Sequence, residues 1–415
     1  MPNPTSGSPS ISLDRLREDL LELGQIGHQT RGGVSRLAFS DEDLEARRWL
    51  MRRIEGAGGR AAMDGAGNVT GRWFEGDGPA VVIGSHIDSV LGGGLFDGTL
   101  GVLAGLECAR ALREADHPAR RPFEVVAFAD EEGRFGGMFG VQAYCGMVTP
   151  DWLETASDPE GLRLFDAMKG QGLDPMHALD AARRPEDIHA FLELHIEQGP
   201  VLEAEKKRIG VVEGISGIFK WMVHLVGRAN HAGTSPMHLR SDAFMGLANF
   251  AHEIPRILEE EGSAGSRLTV GKVELLPGNP HTVPGEAVFS LVGRDVDGDT
   301  LRALAQACRR VLSAIARRRG LHFDYRELSW LEPRRCDAEV MAAFEASARA
   351  LGQEPLSMPS GAGHDTQFMA EVCRAGMIFV PSVGGVSHAP DELTHWSDVE
   401  LGAQVLLQTL VRFLT

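Results

Sequence analysis

Residues 80–88 read Ala-Val-Val-Ile-Gly-Ser-His-Ile-Asp, and residues 123–133 read Phe-Glu-Val-Val-Ala-Phe-Ala-Asp-Glu-Glu-Gly. The first opens with a short continuous apolar run and the second with a mostly apolar one, the pattern of strands buried on both faces. Each ends in a group of acidic or imidazole side chains. Between them lie a glycine-rich loop, Gly92-Gly-Gly-Leu-Phe-Asp97-Gly, and a predicted helix over 98–115. Strand, loop, helix and strand at this spacing form a βαβ unit. Open α/β sheets carry their sites beyond the carboxyl ends of the strands, which is where these polar residues fall.

Working outward, residues 13–29 and 41–57 carry helical periodicity, with Asp41 as a start and the glycines at 56–59 as a stop. Residues 150–190 are polar with helical patches. Phe191-Leu-Glu-Leu-His195 reads as a strand and runs into Ile-Glu-Gln198-Gly-Pro. The texture changes after 214. Residues 220–226 alternate in part, 237–261 and 300–319 read as helices, and 268–276 and 286–296 as strands. That β-α-β-β-α order fits an α+β domain with helices on one face of an antiparallel sheet. A helix over 337–352, the strand Met377-Ile-Phe-Val-Pro and a closing helix from 399 return to α/β texture. The expectation is one α/β domain made of residues 13–214 and 331–415, with a smaller domain inserted at 215–330 and hinged at the two crossings. Residues 1–12, rich in Pro, Ser and Gly, read as a frayed tail and not as a signal peptide.

Composition narrows the function classes. The 415 residues are 43% apolar and 24% charged, which excludes disordered, collagen-like and disulfide-scaffold readings. Acidic residues outnumber basic ones by 58 to 41, for a net charge of −17. Such a field repels nucleic acid and anionic membranes, so neither is expected as a partner. No apolar run approaches the roughly 20 residues of a membrane span. The cysteines Cys108, Cys145, Cys308, Cys336 and Cys373 are scattered without a CxxC pair, as in reduced cytoplasmic proteins.

Five metal-ligand residue types stand at the ends of predicted α/β elements: His86, Asp97, Glu132, His195 and His388. Imidazole with carboxylate suits zinc or another borderline divalent ion. Two such ions close together need a bridging carboxylate, and Asp97 lies in a loop whose glycines permit close backbone approach. Asp88, two residues after His86 on an extended strand, is placed to accept the His86 ring proton and fix its tautomer. In Glu131-Glu132, one carboxylate can bind metal while the other takes a proton from water. A single such histidine or glutamate pair is usually an ordinary surface feature; five at element ends in one domain are not. His364-Asp365 either backs this site or caps a helix.

The segments Gly84-Ser-His86-Ile-Asp88-Ser, Gly94-Leu-Phe-Asp97-Gly, Glu131-Glu132-Gly-Arg-Phe, His195-Ile-Glu-Gln198-Gly-Pro, Gly361-Ala-Gly-His364-Asp365 and Ser387-His388-Ala-Pro-Asp-Glu, taken together, resemble the hydantoinase/carbamoylase-type amidases. The resemblance runs from about residue 13 to the end. It implies a dinuclear zinc aminopeptidase-like α/β catalytic domain with an inserted α+β lid and dimerisation domain. It implies hydrolysis of the ureido C–N bond of a small N-carbamoyl amino acid or related ureido acid. On the matching positions, His86, Asp97 and His195 hold one metal ion, and Asp97, Glu132 and His388 hold the other. Zinc is the first choice, with manganese, cobalt or nickel tolerated. Glu131 is then the general base. His231, in Gly227-Arg-Ala-Asn-His231-Ala-Gly, stabilises the oxyanion from the partner subunit of a homodimer. Arg294 grips the substrate carboxylate and Gln198 contacts the substrate amide. One position departs: His281 stands where relatives carry a substrate-contacting asparagine, with Asn279 close by, and an imidazole does not reproduce an amide's donor and acceptor pair. Two other readings are a dinuclear aminopeptidase, dipeptidase or deacylase, and a non-catalytic metal-binding scaffold. The scaffold should have lost a ligand or the base, and none is missing.

Overall fold

The computed structural model describes residues 8–74, 76 and 78–415. The chain divides into two compact units, Met1–Glu213 with Cys336–Met358 and Gly363–Thr415, and Gly214–Arg335 with Pro359–Ala362.

The first unit is built on a mixed sheet. From one edge the strands are Arg60–Met63, Val69–Trp73, Phe123–Phe128, Ala80–His86, Ile188–Ile196, Ala375–Val380 and Gly210–Ile215, and Leu356–Ser360 also pairs with the last. Ala80–His86 runs parallel to both neighbours, and Ile188–Ile196 runs parallel to Ala375–Val380. Four carboxyl ends therefore meet at one edge of the sheet. From Ala80–His86 the chain crosses through the helix Thr99–Glu114 to Phe123–Phe128 on one side, then returns to the other side as Ile188–Ile196. His86 ends the strand at this reversal, the position at which α/β sheets open a crevice.

The runs at 80–83 and 123–128 are apolar on both sides because both faces are covered, with Glu124 the exception, buried against Arg72 and Arg183. Val81 and Ile83 face a core shared with helix residues such as Leu100 and Leu103. Val82 faces the other core with Val126, Phe128 and Phe191. The helix Thr99–Glu114 is buried along nearly its whole length. A Cβ at Gly101 would stand 2.5 Å from the Leu194 carbonyl oxygen, and one at Gly105 would stand 2.8 Å from Ile83 Cγ2. These two glycines, one turn apart, let the helix backbone lie directly on the strands that carry His86 and His195. The predicted start at Asp41 holds: Ser40 accepts from the Asp43 amide and caps Asp41–Gly56, a bond worth about 1 kcal/mol.

The expected frayed tail falls for residues 1–7 outside the described residues. At its far end the expectation is corrected. Ile11 is buried, its amide donates to Gln404 Oε1 at 3.1 Å, and Ser12 caps the helix Leu13–Leu23. The apolar Ile11 side chain and the cap anchor the segment.

The second unit has an antiparallel sheet in the order His322–Leu331, Gly217–Val226, Glu286–Asp295, Arg267–Leu276, with the helices Ala243–Glu261 and Gly298–Arg319 packed against it. Phe219, Trp221, Val223 and Leu225 face its core in strict alternation. The helix predicted from 237 begins at Ala243, because Asp242 caps it and Met237–Leu239 forms a separate 3-10 turn. Pro359–Ala362 joins this unit through Ser216, whose amide and hydroxyl both donate to the Ser360 carbonyl. Among the described residues no helix is long and apolar enough to cross a membrane.

Candidate metal centre

All five predicted ligands, with Glu131, Asp88 and Gln198, come together in the first unit. Asp97 is the junction. His195 Nε2 lies 3.2 Å and His86 Nε2 3.6 Å from its Oδ1, while His388 Nε2 lies 3.1 Å from its Oδ2. His388 Nε2 is also 3.4 Å from Glu132 Oε2. The potential ligand atoms of His86, Asp97 and His195, and those of Asp97, Glu132 and His388, each fall within 4.8 Å of one another. Glu131 Oε2 stands 3.5 Å from His86 Nε2.

Backbone carbonyls aim the two buried rings. His86 Nδ1 bonds the Asp88 carbonyl at 3.0 Å, and His195 Nδ1 bonds the Ile196 carbonyl at 2.8 Å. Each Nε2 is thereby turned to the carboxylates. The expected role of Asp88 changes in detail. Its carboxylate lies 3.8 Å from His86 Nδ1, beyond a hydrogen bond, and its backbone oxygen takes the ring instead. The Asp88 side chain accepts the amides of Glu131 and Glu132, at 3.4 and 3.2 Å, and so fixes the peptide that bears both glutamates. Gly98 has a φ of +66°, and a Cβ there would stand 2.4 Å from the His86 ring, so only glycine fits beneath the imidazole.

The electrostatics are those of crowded buried carboxylates. Burial lifts the Glu131 carboxyl well above its usual range, with Asp365, Glu132 and Asp88 adding to it and His86 opposing. Burial and Asp97 lift Glu132 to about 7. Burial would also raise Asp97, but hydrogen bonds from His195, His388 and His86 hold it well below the carboxylate range. His388 is raised to about 9, chiefly by its hydrogen bond to Asp97. Burial disfavours the charged form of His86, yet Glu131, Asp97 and Asp88 together carry it well above an ordinary histidine. This excess of buried negative charge, with three imidazole nitrogens aimed into it, is chemically suited to two divalent cations.

His364 stands at the start of the helix Asp365–Val372 without a side-chain capping bond, and its ring packs on that of His195 at a centroid distance of 4.6 Å. It therefore backs the site. Glu193, with His195 and His364, forms a third close group, but it already accepts from Ser85 Oγ, Thr366 N and Thr366 Oγ1.

Sequence reasoning passed over Glu392 and Ser387. Glu392 Oε1 accepts the amides of Phe96 and Asp97, at 2.9 and 3.1 Å. Ser387 Oγ lies 2.9 Å from Glu392 Oε2 and 3.0 Å from Asp97 Oδ2. Gln198 Nε2 donates to the same Asp97 oxygen at 2.7 Å. The signal was an acidic residue four positions after His388, within the segment Ser387-His388-Ala-Pro-Asp-Glu.

His231, His281 and Arg294 lie in the second unit. The His231 Nδ1 accepts the amides of Gly233 and Thr234, at 3.0 and 3.1 Å, which leaves Nε2–H as its donor. Among the described residues the Arg294 guanidinium pairs with no carboxylate; it donates to the Gly361 carbonyl at 2.6 Å, and burial lowers its pKa. The side-chain oxygen of Asn279 is occupied by the amide of His281 at 2.9 Å, so this neighbour is held in a local turn.

Comparison with known proteins bears on this geometry. Residues 82–412 match peptidase family M20/M25/M40. The chain is 40% identical to an N-carbamoyl-L-amino acid amidohydrolase of Geobacillus stearothermophilus over 96% of this chain and 98% of that protein. It is 35% identical to an allantoate amidohydrolase of Escherichia coli, over 94% and 95% respectively. A crystal structure of a hydantoinase/carbamoylase family amidase from Burkholderia multivorans superposes with a TM-score of 0.92 at 33% identity, covering 98% of this chain and 99% of that one.

Proposed function

Because the chain belongs to peptidase family M20/M25/M40 and, within it, to the hydantoinase/carbamoylase amidases, we propose that it is a metal-dependent amidohydrolase of an N-carbamoyl amino acid or a related ureido acid. The observation that carries the reading is Asp97, one carboxylate touched by two histidines at one oxygen and a third at the other. His86, Asp97 and His195 would hold one ion, and Asp97, Glu132 and His388 the second. Zinc suits this donor set best, with manganese, cobalt or nickel tolerated. Divalent ions bound there supply Lewis acidity, which acidifies water and polarises a carbonyl.

The chain's own residues do the rest. Glu131 takes a proton from the attacking water and returns it to the leaving nitrogen; burial has already raised its pKa toward that task. Water and the ureido group thus give amino acid, carbon dioxide and ammonia. His231 offers Nε2–H to the oxyanion, in a homodimer where it serves the partner's site. Arg294, a half-buried cation that pairs with no carboxylate among the described residues, grips the substrate carboxylate. Gln198 contacts the substrate amide, and His281 tunes which ureido acid fits. The second unit serves as lid and dimerisation domain. The five cysteines are all free, in keeping with a cytoplasmic enzyme.

The test is ammonia release from N-carbamoyl-L-amino acids, N-carbamoyl-β-alanine, allantoate and ureidoglycolate, with two dipeptides as controls, after EDTA and after zinc, manganese or cobalt is restored. Metal-restored release from a ureido substrate is expected. Cleavage of the dipeptides alone would refute the proposal and favour a peptidase.

A further inference from the structure

We propose that Arg36 is a positioning residue for the metal centre, a buried guanidinium that fixes the peptide linking His86 to Asp88. Arg36 is 1% exposed, among the largest fully buried side chains of the protein. Among the described residues no carboxylate pairs with it. A buried cation is tolerated only where acceptors surround it, and here they are main-chain carbonyls. Nη1 donates to Leu23 O at 3.1 Å and to Ile26 O at 2.9 Å, at the carbonyl end of the helix Leu13–Leu23. Nε donates to Ile87 O at 2.5 Å. The main chain adds two more ties: Arg36 N donates to Ser89 Oγ, and Ser89 N donates to Arg36 O, both at 2.9 Å. Residues 87–89 are thus gripped at three points by Arg36, while its neighbours Val34 and Ser35 bond Gly92 and Gly93 in the loop that leads to Asp97.

The grip matters because of what the next residue does. The Asp88 carbonyl aims the His86 ring, and the Asp88 carboxylate holds the amides of Glu131 and Glu132. Rotation of the Ile87 peptide would disturb both together, so one guanidinium sets a ligand, the base and a second ligand. Arg47 provides the contrast. It is as buried as Arg36 and pairs with Asp43, but bonds nothing in 86–89.

The activity arm of the test rests on the amidase reading; the metal arm does not. Zinc affinity by competition with a chelating dye, the melting temperature of EDTA-treated protein, and kcat and KM would be measured for Arg36→Lys, Arg47→Lys and Ser89→Ala. Lysine keeps the charge but cannot reach Ile87 O and the helix carbonyls at once. Arg36→Lys is expected to lose about 10- to 100-fold in zinc affinity, with kcat falling and KM held. Arg47→Lys should melt earlier yet keep its zinc affinity. Ser89→Ala, the gentler variant, removes the hydroxyl that accepts the Arg36 amide and donates to the Val34 or Val90 carbonyl, and should show a smaller loss in the same direction. Wild-type zinc affinity in Arg36→Lys, or an equal loss in Arg47→Lys, would overturn the proposal; if Arg36→Lys does not fold, unchanged affinity in Ser89→Ala does so. Absence of turnover on every ureido substrate by the wild type would refute the amidase reading and leave the zinc result standing.

Discussion

Replacing Glu392 separates a structural clamp from a catalytic charge. Its Oε1 accepts two buried amides, those of Phe96 and Asp97, and its Oε2 meets the hydroxyl of Ser387. Hydrogen bonds to a charged acceptor contribute about 1.5–3 kcal/mol each. The two amide bonds alone therefore set an upper range of about 3–6 kcal/mol for Glu392→Ala; water entering the gap brings the expectation to about 3 kcal/mol. That corresponds to roughly 5–10 °C in Tm. Glu392→Gln keeps an oxygen for both amides, and its Nε2 can donate to Ser387 Oγ, so its expected cost is about 1 kcal/mol. Burial and Asp97 already raise the Glu392 carboxyl, so loss of its charge should be tolerated. The assay is thermal unfolding of EDTA-treated protein followed by zinc titration. Glu392→Ala should bind zinc about 10- to 100-fold more weakly, because the loop bearing Asp97 is released. If glutamine proves as damaging as alanine, charge and not acceptor geometry is the cause, and the reasoning fails. A Tm shift near zero in the alanine variant would show that the clamp carries no load.

Other consequences follow from the same geometry. Glu131→Gln should lower kcat by about 10²- to 10⁴-fold while metal content by atomic emission stays near that of the wild type; retained turnover would remove Glu131 from the base role. Gly98→Ala forces a side chain into positive φ, at about 1–2 kcal/mol, and against the His86 ring; calorimetry should show the zinc-induced rise in Tm shrinking relative to wild type. His388, raised to about 9, carries a proton at pH 7 that a metal ion must displace. Zinc affinity should therefore rise with pH up to about 9, roughly tenfold per unit for that one proton, with Glu132 adding a second below about 7. Calorimetry in buffers of different ionisation enthalpy counts the released protons, and a pH-independent affinity would contradict the assignment.

Residues whose role is local were legible. The runs at 80–83 and 123–128 announced buried strands because neither face meets water. Residues 220–226 alternate only in part as a sequence, and the structure extends them to the strand Gly217–Val226, in which burial alternates strictly. His322–Leu331 escaped the sequence reading although Phe323 and Tyr325 alternate, as did the short strands Arg60–Met63 and Val69–Trp73 and the strand Gly210–Ile215, in which two glycines and Glu213 break the apolar run. Residues that act through main-chain atoms were silent. Glu392 accepts an amide 295 positions away, and Arg36 donates to a carbonyl 51 positions away; in both cases the partner atom belongs to the main chain, which is the same in every residue and so leaves no mark in a motif.

The sequence by itself determined the chemistry: which side chains can hold a metal ion, which can move a proton, and that they stand at the ends of predicted elements. Those properties belong to residue types and to short-range periodicity, which survive without coordinates. Only the tertiary structure decided that the Asp88 side chain serves the Glu131 and Glu132 amides and not the His86 ring, and that Glu392 and Arg36 hold the peptides behind the site. Hydrogen bonds act over about 3 Å, and folding alone brings residues hundreds of positions apart within that range.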